Sequence, residues 1–496
     1  MVFIPPPHTE AINGENPFLE ALPPALRYTE LPAALNRPSP VLDYAMRLPP
    51  ADRESLIEHC DQHFTFTSEL LEVAVGVQIL LRRSLELHNA LSKPERVRVN
   101  RIALASNEAE IKMASALKGA GMLLTGMTGT GKSVIVERVL EVIAPTQVVE
   151  YGNSPTCGFH YLRQCYYICI DQPSNGTRGG LLKRMLLGLD SALSTNYFAQ
   201  HQRTTNIDTL LVVACKLLTL HRVALLVIDE NQQSNFADSP WTLEFVLFYH
   251  MLMNLGISVV LIGNPLAFVH LREMSQVMRR FSTGGNHQLE PATEKSRWWS
   301  RDFVPGARKF NLVEEWNVED EWRRAFELEH SGGLPAVYMA LHKEVMRTAL
   351  RRGGQLAQVT QADFLAALRS PRFTEMDRIA RSVNASDSAE SLDFLDIPPT
   401  RGPKVLRKPV DTEVTNEPTA LTSNIPMARV TRMLTSFKAA QTKKLNTMKR
   451  RIEAVQSLSP EDARMLGVGD ELIQSMQEAL AAEDGTVVRR RRRPAS

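Results

Sequence analysis

Residues 126–133 read Gly-Met-Thr-Gly-Thr-Gly-Lys-Ser, the G-x-x-x-x-G-K-[ST] spacing that wraps the phosphates of a nucleotide. Glycines at Gly126, Gly129 and Gly131 let the N–H groups of the loop, those of Met127, Thr128 and Thr130 among them, turn inward around phosphate oxygens. Lys132 can then reach the β- and γ-phosphates of ATP and the Ser133 hydroxyl can ligate Mg²⁺, while the helix that continues through Val134 presents its positive end. A second run, Val223 to Glu230, is an apolar strand that ends in two carboxylates. In this reading Asp229 holds Mg²⁺, partly through water, and Glu230 polarises the attacking water. Solvated acids capping a strand look the same in isolation; the phosphate loop upstream is what favours chemistry. A third run, Ile257 to Ile262, is followed by Gly263, Asn264 and Pro265. The Asn264 amide is suited to touch a γ-phosphate or orient water, and turn formation is the alternative use of an Asn-Pro pair.

These groups need a scaffold that brings strand ends to one edge. Short apolar runs alternate with longer helical patterns from Ala114 to about Leu312, as expected for an α/β fold with a parallel sheet. Five strands are expected: Met122–Thr125, Tyr166–Ile170, Val223–Ile228, Ile257–Ile262 and Phe310–Val313. Helices are expected at Ser133–Val142, Leu181–Leu193, Ile207–Leu220 and Trp241–Leu255, where apolar residues recur every three or four positions. We therefore divide the chain into a partly irregular helical N-terminal region (1–110), an α/β core (111–317), a helical lid (318–383), a linker (384–424) and a basic helical C-terminal region (425–496). In the N-terminal region Leu70, Leu71, Val73, Val75, Ile79 and Leu80 lie at helical spacing. Gly332 and Gly333 break the lid before the amphipathic run Ala336 to Leu350. The linker is rich in Ser, Asp, Thr and Pro and has too little apolar surface to offset its ordering entropy.

A length of 496 residues calls for two or three domains, and 44% hydrophobic with 23% charged residues is a globular composition. The net charge of +2 conceals a segment, Arg429 to Arg451, with eight Lys or Arg and no acid, and the run Arg489 to Arg493 is all arginine. Val430, Leu434, Phe437, Met448, Ile452 and Val455 give that basic segment an apolar stripe. Five cysteines, thinly spread and odd in number, fit a reducing compartment better than a disulfide framework, so the cytoplasm is expected. His59, Cys60 and His63, or Cys157 with Cys165 and Cys169, lack a second ligand pair at zinc spacing. No stretch offers the ~18 apolar residues that span a bilayer, and the start has no basic head before an apolar run. Neither secretion nor membrane insertion is expected.

The order of these motifs resembles that of AAA+ P-loop NTPases: a five-stranded parallel sheet flanked by helices, with a small helical lid. Asn264 stands at the position of their sensor 1. Arg279 and Arg280 lie where such proteins place the arginine finger that reaches a neighbouring subunit's nucleotide. More narrowly, the chain resembles the TnsC family, the AAA+ target-selection ATPases of bacterial cut-and-paste transposons. Asn16-Pro-Phe-Leu-Glu-Ala-Leu-Pro-Pro24, Leu189-Asp-Ser-Ala-Leu-Ser-Thr-Asn-Tyr197, Leu226-Val-Ile-Asp-Glu230 with Gln232, and Leu261-Ile-Gly-Asn-Pro265 carry that resemblance. It extends from about Asn16 to Val345. The family often has Thr where Asn264 stands and Ile where Asn231 stands, and Gly332 to Ala336 supplies no sensor-2 arginine.

The resemblance implies an ATP-dependent regulator that assembles as a ring or filament, heptameric by analogy, on double-stranded DNA. It would join a target selector of the TnsD or TniQ type to transposase subunits in the bacterial cytoplasm, at the nucleoid when bound to DNA. By position, Asn175, Thr177, Arg178, Lys183 and Arg184 would grip DNA phosphates. A replication initiator or helicase loader would share every nucleotide-site residue. A nucleotide-gated scaffold without DNA is a further alternative.

Overall fold

The computed structural model describes residues 14–38, 44–115, 117–237, 239, 242–268, 271 and 275–384. The expected linker and basic C-terminal segment, with the arginine run, lie outside the described residues. The N-terminal region is helical: α1 (Pro17–Glu20), α2 (Leu31–Leu35), α3 (Pro50–Leu56), α4 (Leu71–Leu87), α5 (Lys93–Leu104) and α6 (Glu108–Ala114). Asn16 starts α1 by accepting from the Phe18 N–H at 3.1 Å, and its own amide donates to the Leu85 carbonyl of α4 at 3.0 Å. One residue thus caps a helix and pins it to the next layer.

The core begins with β1 (Gly121–Gly126) and α7 (Lys132–Ile143), followed by β2 (Val148–Tyr151), β3 (Leu162–Cys165), β4 (Tyr167–Asp171) and α8 (Arg178–Leu193). Then come α9 (Ile207–Leu220), β5 (Leu225–Asn231), α10 (Thr242–Asn254), β6 (Ser258–Gly263), α11 (Ser275–Phe281) and β7 (Asn286–Leu289). Five strands form one sheet in the order β4-β5-β6-β1-β7, every pairing parallel. β1 and β6 are buried along their whole length, which is why their sequences are continuous apolar runs rather than alternating ones. One face packs on α8, α9 and α10 through Leu186, Leu189, Leu218, Phe245 and Tyr249. The other face packs on α4 and α7 and on Phe18, Leu31 and Leu35 of the N-terminal region.

Two expectations are corrected. Phe310–Val313 is not a strand; Phe310, Leu312 and Val313 are apolar because they join the core of the lid. The fifth strand is β7, Asn-His-Gln-Leu, an edge strand whose polar residues give no apolar signal. The antiparallel pair β2–β3, absent from the sequence reading, diverts the chain between α7 and β4.

The lid contains β8 (Glu315–Trp316), α12 (Asp320–Ser331), α13 (Pro335–Gly353), β9 (Gln358–Val359), α14 (Gln361–Leu368) and α15 (Thr374–Asn384). Gly332 and Gly333, at φ of 58° and 68°, make the expected break, and a Cβ on Gly333 would sit 2.1 Å from the Ala292 carbonyl oxygen. No helix among the described residues is long and apolar enough to cross a membrane.

A buried ion cluster ties α5 to the start of β5. Glu95 accepts from Arg98 Nε at 2.6 Å and from Arg222 Nη1 at 3.0 Å, with all three residues under 9% exposed. Removing the carboxylate would strand two guanidinium groups in the interior. Glu95→Ala is therefore expected to cost roughly 3–5 kcal/mol in urea unfolding, more than Arg222→Met, which leaves Glu95 paired with Arg98.

Candidate active site

Parallel pairing puts the C-terminal ends of all five strands on one edge, and β6 lies between β1 and β5. The phosphate loop leaves the end of β1, the acids end β5, and Asn264 emerges between them. A glycine is required at Gly126 because a Cβ there would meet Thr130 Oγ1 at 2.8 Å and the Leu289 carbonyl at 2.9 Å. Gly129 and Gly131 have φ of 88° and 90°, the left-handed region that turns successive N–H groups to one side. Thr130 Oγ1 and Lys132 Nζ both donate to the Met127 carbonyl, each at 2.8 Å, which fixes the loop's curve. Gly131 caps the twelve-residue α7, so the loop closes on a helix N-terminus, with Ser133 in its first turn and Val134 half exposed. The loop, the lysine ammonium and the serine hydroxyl form a donor set that fits a polyphosphate and a hard cation.

At the end of β5 the pairing with β6 slips. Ile228 faces Leu261 and Asn231 faces Gly263, so Asp229 and Glu230 together oppose the single residue Ile262. The extra residue is a β-bulge, and Glu230 takes the left-handed conformation at φ 54°. The buried Asn231 amide repairs the ladder by donating to the Ile228 carbonyl at 2.9 Å and to the Ile262 carbonyl at 2.8 Å. This explains asparagine at a position where the resemblance leads one to expect isoleucine. Asp229 Oδ1 accepts from the Glu230 N–H at 2.6 Å, Gln232 donates to Glu230 Oε2 at 3.2 Å, and Asn235 Nδ2 donates to the Glu230 carbonyl at 2.9 Å. Partial desolvation, then the like charges of Asp229 and Glu141, raise the Glu137 carboxyl of α7 above its ordinary value. The negative field across this edge suits a bound divalent cation.

Asn264 N–H donates to the Asn231 carbonyl at 2.9 Å, and Asn264 Oδ1 accepts from the Leu266 N–H at 2.9 Å. Its oxygen thus caps the turn after β6, the turn use read from the sequence. The two arginines of α11 separate. Arg280 Nη1 donates to Asn254 Oδ1 of α10 at 2.6 Å, whereas the Arg279 side chain is exposed and bonds to no described residue. Among the described residues neither arginine forms a hydrogen bond or ion pair with the loop or the acids.

The residues proposed for DNA are gathered at the start of α8. Thr177 caps it by accepting from the Gly180 N–H at 3.2 Å, and Asn175 Oδ1 accepts from the Thr177 hydroxyl at 3.0 Å. Lys183 donates to the Gln202 carbonyl at 3.0 Å, Arg184 lies 3.6 Å from Asp171, and Arg178 is half buried. Gly176, at φ 55°, packs where a Cβ would meet the Asn235 carbonyl oxygen at 2.8 Å, and Ser239 Oγ donates to its carbonyl at 2.8 Å. Asn235 therefore touches both this loop and Glu230. Sequence reading missed Asn231 and Asn235, because a side chain that repairs a bulge carries no local signature.

The sheet order, the strand-loop-helix phosphate loop and the acids on the neighbouring edge define an AAA+ P-loop fold. Residues 118–271 match the family model described as an AAA domain. No curated protein sequence matches the chain. Among solved structures it is similar to Cdc6p of Pyrobaculum aerophilum, at 12% identity and TM-score 0.36 over 50% of this chain and 60% of that one. It is also similar to the Orc1 protein of Aeropyrum pernix, solved in complex with DNA, at 17% identity and TM-score 0.35 over 58% of this chain and 66% of that one. For the FIGL-1 AAA domain the figures are 16% and 0.27, over 67% and 95%. The chain thus covers less than two thirds of the length of the first two.

The bulge gives opposite expectations for adjacent residues. Asn231→Ala should destabilise by about 2 kcal/mol, because buried carbonyls lose their donor. Glu230→Gly should stabilise by about 1 kcal/mol, because glycine accepts positive φ without strain. Urea midpoints of the two variants check both signs.

Proposed function

We propose that the protein is an ATP-hydrolysing AAA+ switch that assembles on double-stranded DNA and couples target-site choice to transposase recruitment. The observation that carries the nucleotide part is the convergence of the Gly126–Ser133 loop, the Asp229–Glu230 bulge and Asn264 on one sheet edge. Lys132 and the loop N–H groups from Gly126 to Val134 would hold the phosphates of ATP. Ser133 and Asp229 would hold Mg²⁺, which supplies charge neutralisation when bound. Glu230 takes the proton of the attacking water, and the Asn264 amide orients that water.

Of the two arginines, we assign the finger to Arg279, which is exposed, and an anchoring role to Arg280, which is engaged by Asn254. A finger of this kind acts on a neighbouring copy, so hydrolysis depends on assembly as a ring or filament. The DNA reading rests on the TnsC resemblance; the contact of Asn235 with both Gly176 and Glu230 supports it by giving the loop that bears Asn175 and Thr177 a physical route to the hydrolytic acid. Target-selector and transposase partners and the bacterial cytoplasmic setting rest on the same resemblance.

The test is duplex-stimulated ATP turnover together with electron microscopy of the full chain on DNA, with and without a slowly hydrolysed ATP analogue. Lys132→Ala should weaken nucleotide binding by about 10²-fold, and Glu230→Gln should retain binding while lowering kcat by about 10²–10³-fold. Arg279→Ala should lose about 10³-fold in turnover and regain part of it when mixed with Glu230→Gln, each chain supplying what the other lacks. Arg280→Ala should lower thermal stability instead. Turnover indifferent to duplex, with no assembly on it, would remove the DNA reading; absence of ATP uptake would remove the whole.

A further inference from the structure

The described residues 44–63 form an excursion from the core. The excursion is closed at its base by a two-way bridge in which Arg37 N–H donates to the Phe64 carbonyl and Phe64 N–H to the Arg37 carbonyl, each at 2.9 Å. The base is fastened to the phosphate-loop helix: Arg138 Nε of α7 donates to the Leu35 carbonyl at 2.8 Å. The far end packs on the lid, where Ala45, Ile57 and Cys60 enter the core formed by Val345, Met346 and Ala349. Arg53 is fully buried and donates to the carbonyls of Leu312, Gly354 and Gln355 around the end of α13.

The contact has a register. Lys343, Arg347 and Arg351 repeat every four residues along one face of α13, and Asp61, Glu58 and Glu54 answer them in reverse order. Lys343 Nζ lies 2.8 Å from Asp61 and 3.1 Å from Glu58, Arg347 Nη2 lies 2.6 Å from Glu58, and Arg351 Nε donates to Glu54 at 3.0 Å. Hydrogen bonds from Arg351 and from Lys343 hold the Glu54 and Glu58 carboxyls below their ordinary range. At its other end α13 meets the phosphate loop: Ala336 N–H donates to the Gly129 carbonyl at 3.1 Å. One helix thus carries the loop contact on its first turn and the ion zipper along its later turns.

We propose that residues 44–62 are a strap that holds the lid helix α13 against the core through this antiparallel zipper, keeping the first turn of α13 on the phosphate loop and slowing nucleotide release. The release step rests on the nucleotide reading of that loop; the holding step does not. A nucleotide that moves the lid must work against the strap, because the base of the strap is bonded to α7 and its tip to α13. Two of the three acids are exposed, Asp61 to 63% and Glu58 to 58%, so salt weakens the zipper. The buried Arg53 and the apolar contacts keep the strap attached, so it loosens without leaving.

The experiment uses the full chain in two arms. Hydrogen exchange compares wild type with Glu54→Gln/Glu58→Gln/Asp61→Asn, following peptides from 44–62 and from the first turns of α13; stopped flow follows release of a fluorescent ATP analogue in the same proteins. The triple variant should exchange faster in both segments and release the analogue about tenfold faster, and raising salt should bring wild type toward it. Unchanged exchange at the start of α13 overturns the strap. So does unchanged release from a variant whose 44–62 segment exchanges faster. If wild type takes up no nucleotide, the nucleotide reading and the release step fail together, and the exchange arm alone decides the holding step. Should the triple variant not fold, Glu58→Gln with a salt series on wild type gives the same two readouts.

Discussion

One extra residue at the end of β5 sets the geometry of the whole site. Had the pairing of β5 with β6 continued in register, Glu230 would lie within the regular ladder, with an extended backbone and no freedom to be aimed. Because Asp229 and Glu230 share one partner, the strand turns, Glu230 passes into the left-handed region and its carboxylate is re-aimed. This conformation costs of the order of 1–2 kcal/mol in a residue with a Cβ. It persists because the surroundings over-determine it: Asn231 satisfies the ladder carbonyls from within, and Asn235 and Asp229 hold the two sides of the Glu230 peptide.

The bulge also explains why neighbouring loops are joined to it. Asn264 hangs from the Asn231 carbonyl, so the turn after β6 is placed by the residue that repairs β5. The loop before α8 is placed by the segment after Glu230, through Gly176 against Asn235 and Ser239. A displacement of that loop has a short covalent and hydrogen-bonded path to the acid. Asp190 plays a comparable part further out: its carboxylate accepts from Thr195, Tyr197 and Phe198 and shapes the turn that the Leu189–Tyr197 string encodes.

Two of the ties between lid and core lie along one helix, a backbone bond at Gly129 and ion pairs to the N-terminal excursion. The first is geometric and nearly independent of salt; the second is electrostatic and screened. That combination lets a rigid helix of nineteen residues, about 28 Å long, act as a lever whose near end senses the loop and whose far end senses the strap. The N-terminal region is therefore part of both bodies, covering the sheet with Phe18, Leu31 and Leu35 and the lid with Ile57 and Cys60.

What could be read from the amino-acid sequence was whatever depends on neighbours along the chain. The phosphate loop is a property of eight consecutive residues, β1, the apolar part of β5 and β6 are continuous apolar runs because both of their faces are covered, and the glycine break of the lid follows from backbone freedom at Gly332 and Gly333. Tertiary structure alone decided the rest. Asn286–Leu289 is the edge strand because β1 offers it hydrogen bonds, not because its residues favour a strand, and Phe310–Val313 is apolar for the sake of the lid. Arg279 and Arg280 are indistinguishable in sequence until Asn254, on another helix, takes one of them. The bulge and the zipper between residues 54–61 and 343–351 arise from groups brought together only by folding, and such pairings leave no mark on either stretch read alone.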